Sequence, residues 1–160
     1  GTEAGIIGAA LGSDGHGYVL ADKTLRGRPE AWAKAACDLF DLLQADRVIG
    51  EQNNGGQMVE ATVKAYNRAI PYKEVYASRN KITRAEPIAL LYERNQIHHV
   101  GSYPELEDEL CSYAAEPGQP SPNRMDALVW AMTDLFSRGS SDVRQSFFEG
   151  SRLTATQYLD

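Results

Sequence analysis

Cysteine, histidine, positive charge and long apolar runs are all scarce in this 160-residue chain, and each scarcity removes a class of protein. The two cysteines, Cys37 and Cys111, lie far apart, each inside a helical pattern. That excludes a disulfide-dense scaffold and a C-x-x-C metal spacing, and it leaves two reduced thiols of the kind found in cytoplasmic proteins. The three histidines give no zinc pattern. His16 falls in a turn, and His98 and His99 are consecutive on an expected strand, so they point to opposite faces. No apolar stretch approaches the ~18 residues of a membrane span, and no signal-peptide pattern opens the chain, so no membrane partner is expected. Sixteen Lys and Arg face 22 Asp and Glu, for a net charge of −6. A passive nucleic-acid binder is usually basic. An enzyme that holds divalent cations fits the balance better, because clustered carboxylates are then part of its site. No internal repeat, no low-complexity tract and no G-x-x-x-x-G-K-[ST] phosphate loop is present. The opening residues, Gly1-Thr2-Glu3-Ala4, read as the middle of a longer protein.

What is present is an ordinary globular composition, 42% hydrophobic and 24% charged, in about one domain's length. Ala4–Gly12 is a short apolar run. The turn signal Ser13-Asp14-Gly15-His16-Gly17 follows, and Tyr18–Gly27 returns as a partner strand, so the pattern predicts an antiparallel hairpin. The period then becomes helical: Trp32, Ala35, Ala36, Leu39, Phe40 and Leu43 share a stripe, with Pro29 near the start. Val48-Ile49-Gly50-Glu51 reads as a short buried strand. A second helix follows, with Val59, Thr62, Val63, Tyr66 and Ile70 as its stripe. Tyr72–Ser78 alternates as a strand. Ser78–Arg84 reads as a basic loop, then come a short helix, a strand over Ile97–Gly101 and an acidic helix from Pro104. Met125, Leu128, Val129, Met132, Leu135 and Phe136 mark the last strong helix. Residues 1–136 form the expected domain, and 137–160 a loosely packed tail. Strands joined through helices imply a parallel portion of sheet behind the leading hairpin. The class is α/β, a mixed sheet with helices on both faces.

Two carboxylates stand out. Glu51 ends a buried strand, where its charge is costly unless offset. In open α/β sheets, ligands collect outside the carboxyl ends of strands. The turn after it, Asn53-Asn54-Gly55, permits close backbone approach and leads into a helix N-terminus. Asp126 lies in the first turn of the last helix, bordering its buried face. Acids converging from separate elements suit Mg²⁺ or Mn²⁺ and two-metal phosphodiester chemistry. The plainer alternatives are that Asp126, three residues after Asn123, caps its helix, and that Glu51 caps its own turn. Arg79, Lys81 and Arg84 form a basic cluster in an acidic chain, suited to DNA phosphates or simply solvated. The acidic helix Pro104–Leu110 reads as a solvated face.

Residues 48–60, 77–101, 104–113 and 121–135 together resemble the C-terminal nuclease domain of the large terminase subunit, the DNA-packaging motor of tailed phages, prophages and gene transfer agents. The likeness runs from about Glu3 to Phe136. It implies an RNase H-like fold and a metal-dependent endonuclease that cuts concatemeric double-stranded DNA, in the cytoplasm of a bacterial host. In the family, one catalytic Asp lies on a first strand, a second acid at the end of a later strand and a third acid early in the last helix. Glu51 matches the second and Asp126 the third. The first has no counterpart here, as if the first strand were missing. Glu3 belongs to the loop beyond that strand and does not replace its acid. The resemblance further implies two Mg²⁺ or Mn²⁺ ions in the complete domain, supporting roles for Asn53, Asn54 and Gly55, and DNA-backbone contacts from Arg79, Lys81 and Arg84. The implied partners are an N-terminal ATPase domain, the portal and the small terminase subunit. With only two of three acids, slow or absent cleavage is the corollary. A non-cleaving docking module of the motor, or another RNase H-like nuclease of the resolvase or transposase type, are the alternatives.

Overall fold

The computed structural model describes residues 2–52, 56–113 and 122–149; of Thr2, residues 56–58 and residues 138–149 it describes the backbone alone. Among the described residues seven strands and five helices follow in order: β1 (Thr2–Ala4), β2 (Ile7–Leu11), β3 (Gly17–Asp22), β4 (Leu25–Gly27), α1 (Pro29–Leu43), β5 (Val48–Gln52), α2 (Gly56–Tyr66), β6 (Tyr72–Tyr76), α3 (Lys81–Glu93), β7 (Ile97–His99), α4 (Pro104–Ser112) and α5 (Asn123–Glu149). The α/β class is as the periodicity predicts.

The hairpin forms between β2 and β3, with a register shift at Gly8/Ala9. Its two strands are shorter than the runs that suggested them. The first run holds β2, with β1 starting ahead of it and sharing only Ala4, the second run divides into β3 and β4, and β1 pairs antiparallel with β4. Glu3 is therefore on a strand, opposite Arg26, and not in a loop. β3 pairs in parallel with β7, and β5 in parallel with β6. The strands thus form three small sheets, β1-β4, β2-β3-β7 and β5-β6.

The main core lies where α3, α4 and α5 cover β3 and β7, around Val19, Ile88, Ile97, Leu106, Leu128 and Met132. Each such aliphatic side chain contributes roughly 1.5–3 kcal/mol by leaving water. A second cluster, Ala33, Cys37, Val63 and Ile70, joins α1 to α2 and to the segment after it. The α1 stripe is accordingly shifted: Ala33 and Cys37 are buried, while Ala35 and Ala36 are only partly covered. Burial also pushes the Cys37 thiol pKa up, with Asp41 and Asp38 adding to it.

Two further boundaries differ from the sequence reading. α3 begins at Lys81, so Lys81 and Arg84 stand on a helix and only Arg79 stays in the loop. Asn80 caps that helix, its side-chain oxygen accepting from the Thr83 N–H at 2.8 Å. The last helix does not fade at Ser137: α5 continues to Glu149.

Candidate functional site

α5 and β5 are held together at one end by a buried ion cluster. Asp134, 5% exposed, accepts from Arg47 Nη2 at 2.5 Å, Arg47 Nε at 3.2 Å and Lys73 Nζ at 2.8 Å. From Arg47 the chain runs four residues along β5 to Glu51, about 13 Å at strand rise. From Asp134, eight residues back along α5 reach Asp126, about 12 Å at helical rise. The two elements are in step, and Glu51 and Asp126 both line one pocket of about 380 Å³. The sequence-derived pair is brought to a common cavity although 74 residues separate the two in the chain.

Trp130 holds one of the two acids. One turn after Asp126, its indole N–H donates to Glu51 Oε2 at 3.0 Å. Arg84 lies over the Trp130 ring, its guanidinium carbon 4.8 Å from the centroid. The same Arg84 places Nη2 3.7 Å from Asp126 Oδ1, and Lys81 Nζ sits 2.6 Å from Asp126 Oδ2. Arg84 Nη1 is buried and has no hydrogen-bond partner in the described structure. The cluster therefore holds two carboxylates, two cations and a spare guanidinium donor around one indole.

Asp126 is not the cap of its helix. Glu109 of α4 takes that role from outside: its Oε1 accepts from the Arg124 N–H at 3.1 Å and the Met125 N–H at 3.3 Å. Arg124 also binds Glu109 Oε2, Asp22 and Glu3. The acidic helix is thus not wholly solvated. Glu107 accepts from the Tyr103 N–H at 3.2 Å and contacts His99 Nδ1 at 3.0 Å. These contacts, His99 first, hold its carboxyl below the usual glutamate range. Glu3 accepts from the Asn123 side chain at 3.1 Å and pairs with Arg26, so it is engaged at the sheet margin.

The donor set suits a hard cation. Two carboxylates on one cavity match Mg²⁺, which binds through one or two carboxylates and completes its shell with water and phosphate oxygens. For two ions the set is thin, and no group of three or more His, Cys, Asp or Glu side chains able to hold a metal is found among the described residues. The Lys81 ammonium currently stands where a cation would approach Asp126. Arg79 contributes its carbonyl to Arg84 Nε at 3.2 Å. Asn53, Asn54 and Gly55 lie outside the described residues.

Two residues of the cluster were not singled out by sequence reasoning. Trp130 and Asp134 follow Asp126 at i+4 and i+8, so helical spacing alone places all three on one face. Among the described residues no helix is long and apolar enough to cross a membrane. No family model, curated protein or solved structure matches the chain.

Proposed function

We propose that the chain is a metal-dependent endonuclease domain that hydrolyses phosphodiester bonds in double-stranded DNA, of the terminase large-subunit type. The RNase H-like sheet lacking its first strand is the finer fold that goes with this reading. The observation that carries it is the meeting of Glu51 and Asp126 on one cavity, with Lys81 and Arg84 beside them.

The geometry supports the following roles. Glu51 and Asp126 present carboxylate oxygens from a strand end and a helix start. Bound Mg²⁺ or Mn²⁺ supplies Lewis-acid polarisation of the phosphoryl group and a more acidic water. Trp130 fixes the Glu51 carboxylate by its indole N–H. Lys81, the more exposed of the two cations, is suited to bind phosphate oxygens without reading sequence, and Arg84 supports Asp126 and the Trp130 ring behind it. Both pair with Asp126, so a phosphate oxygen bound by Lys81 would exchange one charge pair for another. Arg79 lies just ahead of α3 and extends the same basic edge.

Relaxation of supercoiled plasmid with Mn²⁺, compared with EDTA and with Glu51→Gln and Asp126→Asn, tests this reading. Slow, metal-dependent nicking that both substitutions abolish is the expected result. Equal nicking by the wild type and both variants would refute it. Strict absence of nicking, together with tight binding to other components of a packaging motor, would favour the docking-module alternative.

A further inference from the structure

Two of the three histidines meet in the fold, although their spacing along the chain gives no metal pattern. His16 closes the turn between β2 and β3, and His98 is the middle residue of β7. His16 Nδ1 lies 2.7 Å from His98 Nε2, across 82 positions of sequence. The ring planes are within 13° of each other and the centroids 5.0 Å apart, a distance that the contact and the two ring radii fill in a straight line. The two nitrogens therefore face each other end on. The backbone holds both rings in place. Tyr18 is the register partner of His98 in the parallel β3-β7 ladder, and the Gly17 N–H donates to the Gln96 carbonyl at 2.8 Å. Asp14 orders the turn: its carboxylate accepts from the His16 N–H at 2.9 Å and from the Tyr18 hydroxyl. The Tyr18 ring lies against His98, with 5.1 Å between centroids. Both imidazoles are half-buried, and their outer nitrogens, His16 Nε2 and His98 Nδ1, have no hydrogen-bond partner among the described residues. His99 is the contrast, since Tyr92 and Glu107 engage both of its nitrogens.

We infer that His16 Nδ1 and His98 Nε2 together bind a borderline divalent cation, of which Zn²⁺ is the type, with water completing its shell. Imidazole nitrogen suits Zn²⁺, Ni²⁺ and Cu²⁺, whereas Mg²⁺ and Mn²⁺ take oxygen ligands. The site is thus chemically distinct from the pair Glu51 and Asp126. It is also remote from that pair: Gly17, next to His16, lies against Phe136, about 15 Å along α5 from Asp126. Zn–N bonds of about 2.0–2.1 Å at a tetrahedral angle put two nitrogens about 3.3 Å apart. The rings must therefore part by about 0.6 Å and tilt, and His16, on a turn, supplies this by rotating its side chain. In the neutral pair, the proton between the rings moves to the outer nitrogen of the ring that carries it. The ion takes its place, so no net proton is released. Asp14 adds a negative charge in the same turn, which favours a cation there. The bound ion ties the β2–β3 turn to β7.

Zn²⁺ titrated into the intact, isotopically labelled chain, and read from the ring nitrogens of the three histidines, tests this. No DNA is involved and the carboxylate site is not read, so the outcome is separate from that of the nuclease reading. The His16 Nδ1 and His98 Nε2 resonances should shift together and saturate together below about 1 mM Zn²⁺, while His99 stays in place. Mg²⁺ at the same concentration should move none of the three. His16→Asn and His98→Gln each put an amide near the lost nitrogen. Each should weaken binding at least about tenfold, read from the histidine that remains. A shift of one ring alone, equal shifts of all three, or no shift up to about 1 mM Zn²⁺ would overturn the inference. So would unchanged affinity in either variant. Wild-type spectra alone can overturn it, whether or not the variants fold.

Discussion

Replacing Asp134 with Asn keeps the volume but removes the charge that Arg47 and Lys73 share. Breaking one partner of a buried ion pair costs about 3–5 kcal/mol when the remaining charge stays buried. Here the remaining charges partly rehydrate: the Arg47 side chain is 25% exposed and that of Lys73 44%. The cost of Asp134→Asn should therefore be about 2–3 kcal/mol. At roughly 2–4 °C per kcal/mol for a chain of this size, the melting temperature should fall by about 5–10 °C. Lys73→Met removes the more exposed partner and leaves Asp134 its bidentate Arg47, so it should cost only about 0.5–1 kcal/mol. Urea unfolding followed by tryptophan fluorescence measures both, with the m-value expected to stay constant. Because Asp134 and Arg47 set α5 in step with β5, the Asn variant should also bind Mn²⁺ more weakly at the far end of the pair. An Asp134→Asn cost below about 1 kcal/mol, or a Lys73→Met cost as large as that of Asp134→Asn, would refute the idea that this cluster locks the helix to the strand.

Trp130→Phe removes the indole donor from Glu51 and should destabilise the chain by about 1–2 kcal/mol in the same urea assay, as befits a half-buried hydrogen bond to a charged group. Lys81→Ala removes the ammonium that occupies Asp126, so Mn²⁺ affinity should rise severalfold in a calorimetric titration. In the same variant, duplex DNA affinity should fall alike on unrelated sequences, with the slope of log K against log [salt] flattening by about 0.9. Unchanged values of all three would place the DNA elsewhere. Glu107 has a folded-state pKa below its ordinary value, so it adds stability that is complete above the usual glutamate range near ~4.3 and is lost as pH falls through the lower folded value. Glu107→Gln should flatten that acid limb in denaturation curves taken between about pH 5 and pH 3, and leave the curve near pH 7 unchanged in slope.

Periodicity made most elements legible. The hairpin, α1, β5, β6, β7 and α4 lie where alternating or helical spacing placed them, because each buries one face of a regular element. The start of α3 was hidden by its composition. Lys81 and Arg84 are polar and Pro87 falls inside the helix, so the stretch looked like loop; the overlooked signal was Asn80 three residues before Thr83, an N-cap spacing. The long continuation of α5 was hidden because the apolar stripe stops at Phe136, and nothing in a single sequence says how far a helix runs beyond its packed face. Glu51 and Asp126 were legible as a pair from position alone, one at a strand end and one at a helix start. Their other partners were less so: Trp130 shares the helix face of Asp126, but Lys81 and Arg84 come from a distant segment, and only the tertiary packing of α3 against α5 brings them to Asp126. Glu109 as the cap of a neighbouring helix is likewise a long-range contact with no local signature.

The central claim is that Glu51 and Asp126 share a divalent cation. Titrating Mn²⁺ into the isotopically labelled protein and recording paramagnetic broadening residue by residue tests it most directly, because it needs no turnover. Broadening should centre on residues 49–52 and 126–130, and should vanish from both segments in either Glu51→Gln or Asp126→Asn. Broadening centred instead on the acidic residues of α4, or none at either segment up to about 10 mM Mn²⁺, well beyond the affinities of functional hard-cation sites, would contradict it.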